Sequence, residues 1–342
     1  MLNDGAYAYA KACGIIGKSY VGKRISSLTG LHTLTELDRT IFPGFHQELP
    51  GKELLIDLEH RIIKRAVDQI LSIVNSYINP PEFLVQMLRV YEYSDLKVCL
   101  QLICAGKKDP PLLSDLGRFQ TVHFGKFPDI AAMLRNTEFD SLLSGDIRNL
   151  HPDTDFAPIE TKLDSLYYFG LAESLSRLSS EDRQEAQRLL AIEISLRNCV
   201  WALRLRTYYQ KTAADTKKYL MDIKLHGGAG RKSSLAAEAV ESLKLPLDTR
   251  NSWRYWKWAR FLNPEVPSVN WVANPRYFQN AASQYMYQLA RRSFHRSPMS
   301  VSAIFCFIKI KQFEEDILTS VAEGLALGME SSGVFNLLEA PS

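Results

Sequence analysis

The chain has 342 residues, 46% hydrophobic and 23% charged, with 41 basic residues against 38 acidic ones for a net charge of +3. That length exceeds one ordinary core, so two or three compact units are expected. The near balance of charge gives no electrostatic case for nucleic acid, and no run reaches the ~18 uninterrupted apolar residues that a membrane span requires.

From the N-terminus, Tyr7-Ala8-Tyr9-Ala10-Lys11-Ala12 reads as helix running into Gly14-Ile15-Ile16-Gly17-Lys18-Ser19, a glycine-broken helix end. Asp4, Lys11, Lys18 and Lys23 interrupt any apolar leader, so no signal peptide is expected. Helical spacing of apolar residues then predicts helices over Glu53 to Ile78 and Pro81 to Ala105, with breaks at Pro80-Pro81 and Pro110-Pro111. Further helices are expected over Ile159 to Ser176, Ser180 to Tyr209, Leu235 to Ser242 and Pro275 to Phe294. Ser180-Glu181-Asp182-Arg183 reads as an N-cap at Ser180 with acids in the first turn, where the helix dipole favours negative charge. His226-Gly227-Gly228-Ala229-Gly230 is a loop. The last long helix is expected over Met299 to Met329, apolar in its first half, charged in the middle, and closing on Gly324 and Gly328. Strand signals are scarce, so the fold class is all-α.

Motifs that could carry chemistry do not survive their spacing. Gly14-Ile15-Ile16-Gly17-Lys18-Ser19 has two residues between its glycines where a phosphate-wrapping loop needs four, and Gly227-Gly228-Ala229-Gly230-Arg231-Lys232-Ser233 fails the same test. The seven histidines form no His-Glu-x-x-His pair, and the five cysteines (Cys13, Cys99, Cys104, Cys199, Cys306) are scattered in apolar helical pattern. Metal and cofactor are therefore not expected, and the thiols read as reduced and buried in a cytoplasmic protein. An enzyme acting on a small-molecule substrate is not expected either.

Three helices share a charged step in mid-helix: Tyr91-Glu92-Tyr93-Ser94-Asp95-Leu96-Lys97, Ile192-Glu193-Ile194-Ser195-Leu196-Arg197-Asn198 and Phe313-Glu314-Glu315-Asp316-Ile317-Leu318. Each follows another long helix, which suggests a triplication with divisions near Pro110-Pro111 and Gly227. The expected units are residues 1–112, 113–228 and 229–342.

These helices resemble the C/AC39 subunit family of V-type and A-type ATPases, whose eukaryotic member is the d subunit. Tyr91-Glu92-Tyr93-Ser94-Asp95-Leu96-Lys97 is similar to a Tyr-Asp-Phe-His-Asn-Leu-Lys run of the family's first copy. Lys311-Gln312-Phe313-Glu314-Glu315-Asp316-Ile317 keeps the Lys and the second Glu of its Lys-Glu-x-Glu-x-Arg-Asn pattern. Asp316-Ile317 stands where that pattern has Arg-Asn, so contacts of that pair do not transfer. The resemblance implies three helical-bundle domains arranged with pseudo-threefold symmetry as a funnel. Its narrow end would rest on the cytoplasmic face of the membrane proteolipid ring, and its mouth would take the central shaft of the ATPase head. Such a protein turns with the rotor, performs no chemistry, and couples ATP hydrolysis or synthesis to proton or sodium transport. Partner-facing residues implied for the cavity are Asp95, Lys97, Asn198, Arg204, Asp316 and Glu323, each of which could instead be an ordinary helix-surface group.

A second reading starts from Asn251-Ser252-Trp253-Arg254-Tyr255-Trp256-Lys257-Trp258-Ala259-Arg260-Phe261. Three tryptophans among three cations could stack bases, lie at a membrane interface or anchor a protein partner, and the first or last would make the chain an all-α scaffold binding nucleic acid or protein. The plainer expectation is a helix with Trp253, Trp256 and Phe261 in the core and Arg254, Lys257 and Arg260 in solvent.

Overall fold

A computed structural model of the chain describes residues 2–44, 49–144, 147, 150–226 and 232–338. The N-terminal part holds α1 (Leu2–Ile16), α2 (Leu34–Ile41) and α3 (Gly51–Val74), followed by α4 (Glu82–Leu88) and α5 (Val90–Cys104). A largely irregular stretch with the short α6 (Ile130–Leu134) leads to α7 (Ala157–Leu175), α8 (Ser180–Thr207) and α9 (Ala213–Lys218). Then come β1 (Lys224–His226) and β2 (Lys232–Ser234), an antiparallel hairpin with Lys224 opposite Ser234, and α10 (Ala237–Ser242). The chain continues through α11 (Pro275–Phe294), α12 (Val301–Ala326) and α13 (Ser331–Leu338). The class is all-α, with that hairpin the only sheet among the described residues. The glycines expected to form a loop, Gly227, Gly228 and Gly230, lie outside the described residues, between the two strands.

Helix ends follow local chemistry more closely than periodicity did. Ser179, not Ser180, caps α8: its side chain accepts from the Asp182 N–H, with Glu181 and Asp182 in the first turn where the dipole favours acids. Ser300 likewise caps α12 through the Ala303 N–H. At the other end Met329 N–H returns to Gly324 O and Gly328 N–H to Leu325 O, a Schellman motif that needs the positive φ of 78° at Gly328. The helix expected over Pro81 to Ala105 is two helices, α4 and α5, separated at Arg89, whose ψ of −6° departs from helical values. Arg89 turns its guanidinium inward to Glu92, Glu138 and Thr121.

α12 is the central helix. Residues Ser302 to Ile308 are buried on every side, and the helix packs against α11, α3, α1, α8, α4, α13 and α2. The buried side chains fall into three clusters. The largest joins the C-terminal half of α3, α4, α5, α7, the first half of α8 and the first half of α12. A second joins residues between Tyr20 and Ile62 to residues between Ile317 and Phe335, so the two ends of the chain share one core. The third joins the second half of α8, the Trp253–Trp271 segment and the first half of α11. α3, α8, α11 and α12 each pass from one cluster into another.

The Trp253–Phe261 segment is not the expected helix. It forms two 3-10 turns, Arg250–Trp253 and Ala259–Phe261, and all of Trp253, Trp256, Trp258 and Phe261 are buried. Indole N–H groups donate to Pro246 O (Trp253, 2.7 Å), Glu238 O (Trp256, 2.9 Å) and Ser195 Oγ (Trp258, 3.4 Å). These hydrogen bonds to surrounding chain fix the rings in the core, so they are not free to stack on bases.

The three charged steps hold the fold together in an unexpected register. Glu92, fully buried, accepts from the N–H groups of Thr121 and Val122 and from Arg89 three residues earlier. Glu314, also buried, accepts from Tyr20 N–H at 2.7 Å and pairs with Lys311 three residues earlier. In the middle helix the equivalent task falls to Asn198 and not to Glu193. Asn198 accepts from Met221 N–H at 2.9 Å and donates to Met221 O and Leu235 O. Each of these three helices therefore pins a separate irregular segment by its backbone, satisfying amides that would otherwise be buried without partners.

Candidate partner-binding cleft

Between α8, α11 and α12 lies a cleft of about 390 Å³, open to solvent and lined also by Tyr168 of α7. Its walls follow helical spacing. α8 contributes Glu193, Arg197, Val200, Trp201 and Arg204, and α12 contributes Lys309, Gln312, Phe313 and Asp316. From α11 come Gln279, Ser283, Met286 and Tyr287, the last stacked on Phe313 with ring centroids 4.4 Å apart.

The charges are arranged in two linked sets. Lys309 Nζ lies 2.7 Å from Glu193 Oε1, which also accepts from the Tyr168 hydroxyl at 2.8 Å. Behind them Asp164 of α7 bridges Lys97 of α5 at 2.7 Å and Arg197 of α8 at 3.1 Å. Burial alone would raise the Asp164 carboxyl, but Arg197 and Lys97 together hold it below its ordinary value. These pairs lock α5, α7, α8 and α12 in register, and they leave part of the cleft's polar inventory unspent. Glu193 Oε2, Arg197 Nε and Gln279 Oε1 are buried without a hydrogen-bond partner. The Arg204 and Asp316 side chains make no ion pair or hydrogen bond among the described residues. Asp316 is open to solvent on one side, yet its place in the concave wall pushes its carboxyl up to about 6 by desolvation, with Lys309 and Arg197 limiting the rise.

Of the six residues singled out from sequence, Arg204 and Asp316 line this cleft and Lys97 supports it through Asp164. Asp95 sits on α5, where its carboxylate accepts from Ser114 N–H at 2.8 Å. Asn198 is wholly buried in the backbone contacts described above. Glu323 is exposed near the C-terminal end of α12, where its charge raises the carboxyl of Glu59 after burial has done so. Arg197, Lys309 and Gln312 were missed. The signal was present, since 193, 197, 200, 201 and 204 share one face of α8, but it requires knowing which face of a doubly buried helix is left uncovered.

Comparison with known proteins assigns the fold to a family. The sequence model for the ATP synthase (C/AC39) subunit matches residues 36–334. The chain belongs to that family. It is 29% identical over 329 residues to an uncharacterized protein of Treponema pallidum (strain Nichols), covering 94% of this chain and 92% of that one. It is 26% identical over 241 residues to the A-type ATP synthase C subunit of Methanosarcina acetivorans, covering 69% of this chain and 60% of the other. With the A-type ATP synthase C subunit of Methanosarcina mazei the identity is 23% over 242 residues, covering 70% and 61%. The chain thus spans about three-fifths of the length of these two named relatives. Lys311 and Glu314, the two positions kept from the family pattern in this C/AC39 protein, are the buried pair that anchors Tyr20. No helix among the described residues is long and apolar enough to cross a membrane.

Proposed function

We propose that this C/AC39 protein is a non-catalytic coupling element of a V/A-type rotary ATPase. In this reading it sits peripherally on the cytoplasmic face of the membrane, between the proteolipid ring and the central shaft, and passes rotation between them. The observation that carries the reading is the family match over residues 36–334. The three units proposed for it are residues 1–112, 113–228 and 229–342, disposed about a pseudo-threefold axis as a funnel. They share buried clusters across their boundaries, which suits a part that must turn without internal slip.

The shaft contact is assigned to the cleft between α8, α11 and α12. Arg204 and Asp316 offer opposite charges there with no partner of their own, and such groups orient a docking helix bundle more than they add affinity. Lys97 holds the wall behind them, whereas Asp95, Asn198 and Glu323 are given no shaft contact. The test is co-purification: the tagged chain should bring down proteolipid and head subunits from detergent-solubilised membranes. Recovery of the chain alone, under conditions that preserve the rest of the complex, would overturn the role.

A further inference from the structure

A second, smaller cleft of about 170 Å³ lies where the end of α1 and the segment after it meet the last turn of α11. Its floor is apolar, from Ile16, Val21, Phe294 and Ile310, and its rim carries Lys23, Arg291 and His295 with no carboxylate among its lining residues. Gly22 borders it with a positive φ of 60°, and the Tyr287 hydroxyl lies against the Gly22 backbone and Arg291. Lys23, Arg291 and His295 are all exposed; Arg291 meets the Tyr287 hydroxyl, His295 Nδ1 lies 3.0 Å from the Tyr9 hydroxyl, and none of the three pairs with a carboxylate among the described residues.

The sequence concentrates charge on the two segments that form this cleft. Residues 5–35 contain four basic residues and no acid, and residues 266–313 contain six basic residues and no acid. Those ten exceed the net charge of +3, so the remainder of the chain is net acidic. Part of the surplus is spent elsewhere, Lys309 on Glu193 and Lys311 on Glu314, and part answers the carbonyl end of α11, where Arg291 and Arg292 offset the helix dipole. Lys23 has no such duty, since it comes from a different segment and faces the same space. The carboxylates near this end are already engaged. Glu185 takes Arg188 and Ser293, Asp182 takes the Val301 N–H, and Asp4 takes the Ile78 N–H.

We propose that this cleft is a binding site for a phosphate-class anion, held by Lys23, Arg291 and His295. The volume is below the ~300 Å³ at which sites for whole small-molecule ligands begin, so it takes a single phosphate group and not a nucleotide. The apolar floor beside the cationic rim equally suits the phosphate of a lipid headgroup. The site does not depend on the rotor reading.

The purified full chain is titrated with inorganic phosphate by calorimetry and, separately, sedimented with phosphatidylcholine vesicles with and without phosphatidylglycerol. Saturable phosphate binding identifies a soluble ligand, and binding to the phosphatidylglycerol vesicles alone identifies a headgroup. In either case the double substitution Lys23→Gln, Arg291→Gln should weaken binding at least tenfold. Arg254→Gln, which removes an exposed cation elsewhere, should leave it unchanged. Each of the two single substitutions gives an intermediate loss, and unfolding transitions matching wild type confirm intact folding. The proposal is overturned if wild type binds neither probe, if the double variant binds as wild type does, or if Arg254→Gln costs as much, which would make the attraction one of bulk charge.

Discussion

Glu315 and Asp316 are adjacent in sequence but differ in surroundings. Glu315 is pushed up to about 8 by burial, although the Tyr91 hydroxyl donates to it at 2.7 Å, and Asp95 is pushed up to about 7 by the same cause. A carboxyl raised in the folded state binds more protons there than in the unfolded chain, so stability falls as pH rises through the interval between the two values. For Glu315 that interval runs from 4.5 to about 8. Glu315→Gln, which keeps an acceptor for Tyr91, should therefore leave the melting temperature at pH 5 little changed and raise it by a few degrees at pH 8. An equal effect at both pH values would show that the carboxyl is not held neutral. Asn198→Ala should destabilise by about 1–3 kcal/mol in urea unfolding, because it strands the buried polar groups of Met221 and Leu235. Asp316→Asn, which breaks no hydrogen bond or ion pair among the described residues, should leave the urea midpoint unchanged below pH 4 and raise it slightly at pH 7, because its carboxyl is pushed up to about 6 in the folded state. The sequence picked out Arg204 and Asp316, which line the cleft between α8, α11 and α12, together with Asn198, which does not. It could not separate them from Asn198, because a polar residue in mid-helix reads the same whether it faces a cavity or a buried backbone.

Among elements, α12 decides the fold, and its apolar first half made it readable without a structure. Phe307 is fully buried in its densest stretch, and Phe307→Ala should cost about 3–5 kcal/mol in chemical unfolding. Gly324 is a subtler site: a Cβ there would meet Val334 Cγ2 at 2.2 Å. Gly324→Ala should loosen α13 from α12, costing about 1–3 kcal/mol from overpacking, and faster amide exchange confined to residues 331–338 would show where. Long periodic helices such as α8 and α11 matched expectation to within a few residues. The Trp253–Phe261 segment did not, because aromatic spacings of three and five suit a helix but say nothing of indole N–H groups that need carbonyls. Those carbonyls, Pro246 O and Glu238 O, belong to chain that periodicity does not connect to the segment. The α4–α5 break was hidden for a similar reason, since it accompanies an arginine recruited by Glu138 and Thr121 far along the sequence.

At the scale of the whole molecule, the proposed coupling role makes a sharper demand than assembly does. Charge reversal at both unpartnered positions, Arg204→Glu with Asp316→Lys, should leave the protein folded and lower ion pumping more than ATP hydrolysis in reconstituted complex. An unchanged ratio of pumping to hydrolysis would remove the cleft from the shaft contact while leaving the family membership untouched. The isolated chain should bind ATP no better than background, with Lys18→Ala making no difference, because α1 ends at Ile16 and turns without a phosphate-wrapping loop. Three charged steps were legible in the sequence, but what the middle one holds was not. Glu193 matches Glu92 and Glu314 in letters, whereas Asn198 matches them in what it holds.

The core shared by the two chain ends also sets an order of events during synthesis. Leu37, Leu58 and Ile62 leave the ribosome well ahead of the surface that covers them, Ile317 to Leu325. Domains released first ordinarily fold first. Here the helices made first must wait with an apolar face uncovered until α12 has been made, and nascent chains stalled before α12 should be the ones that chaperones retain.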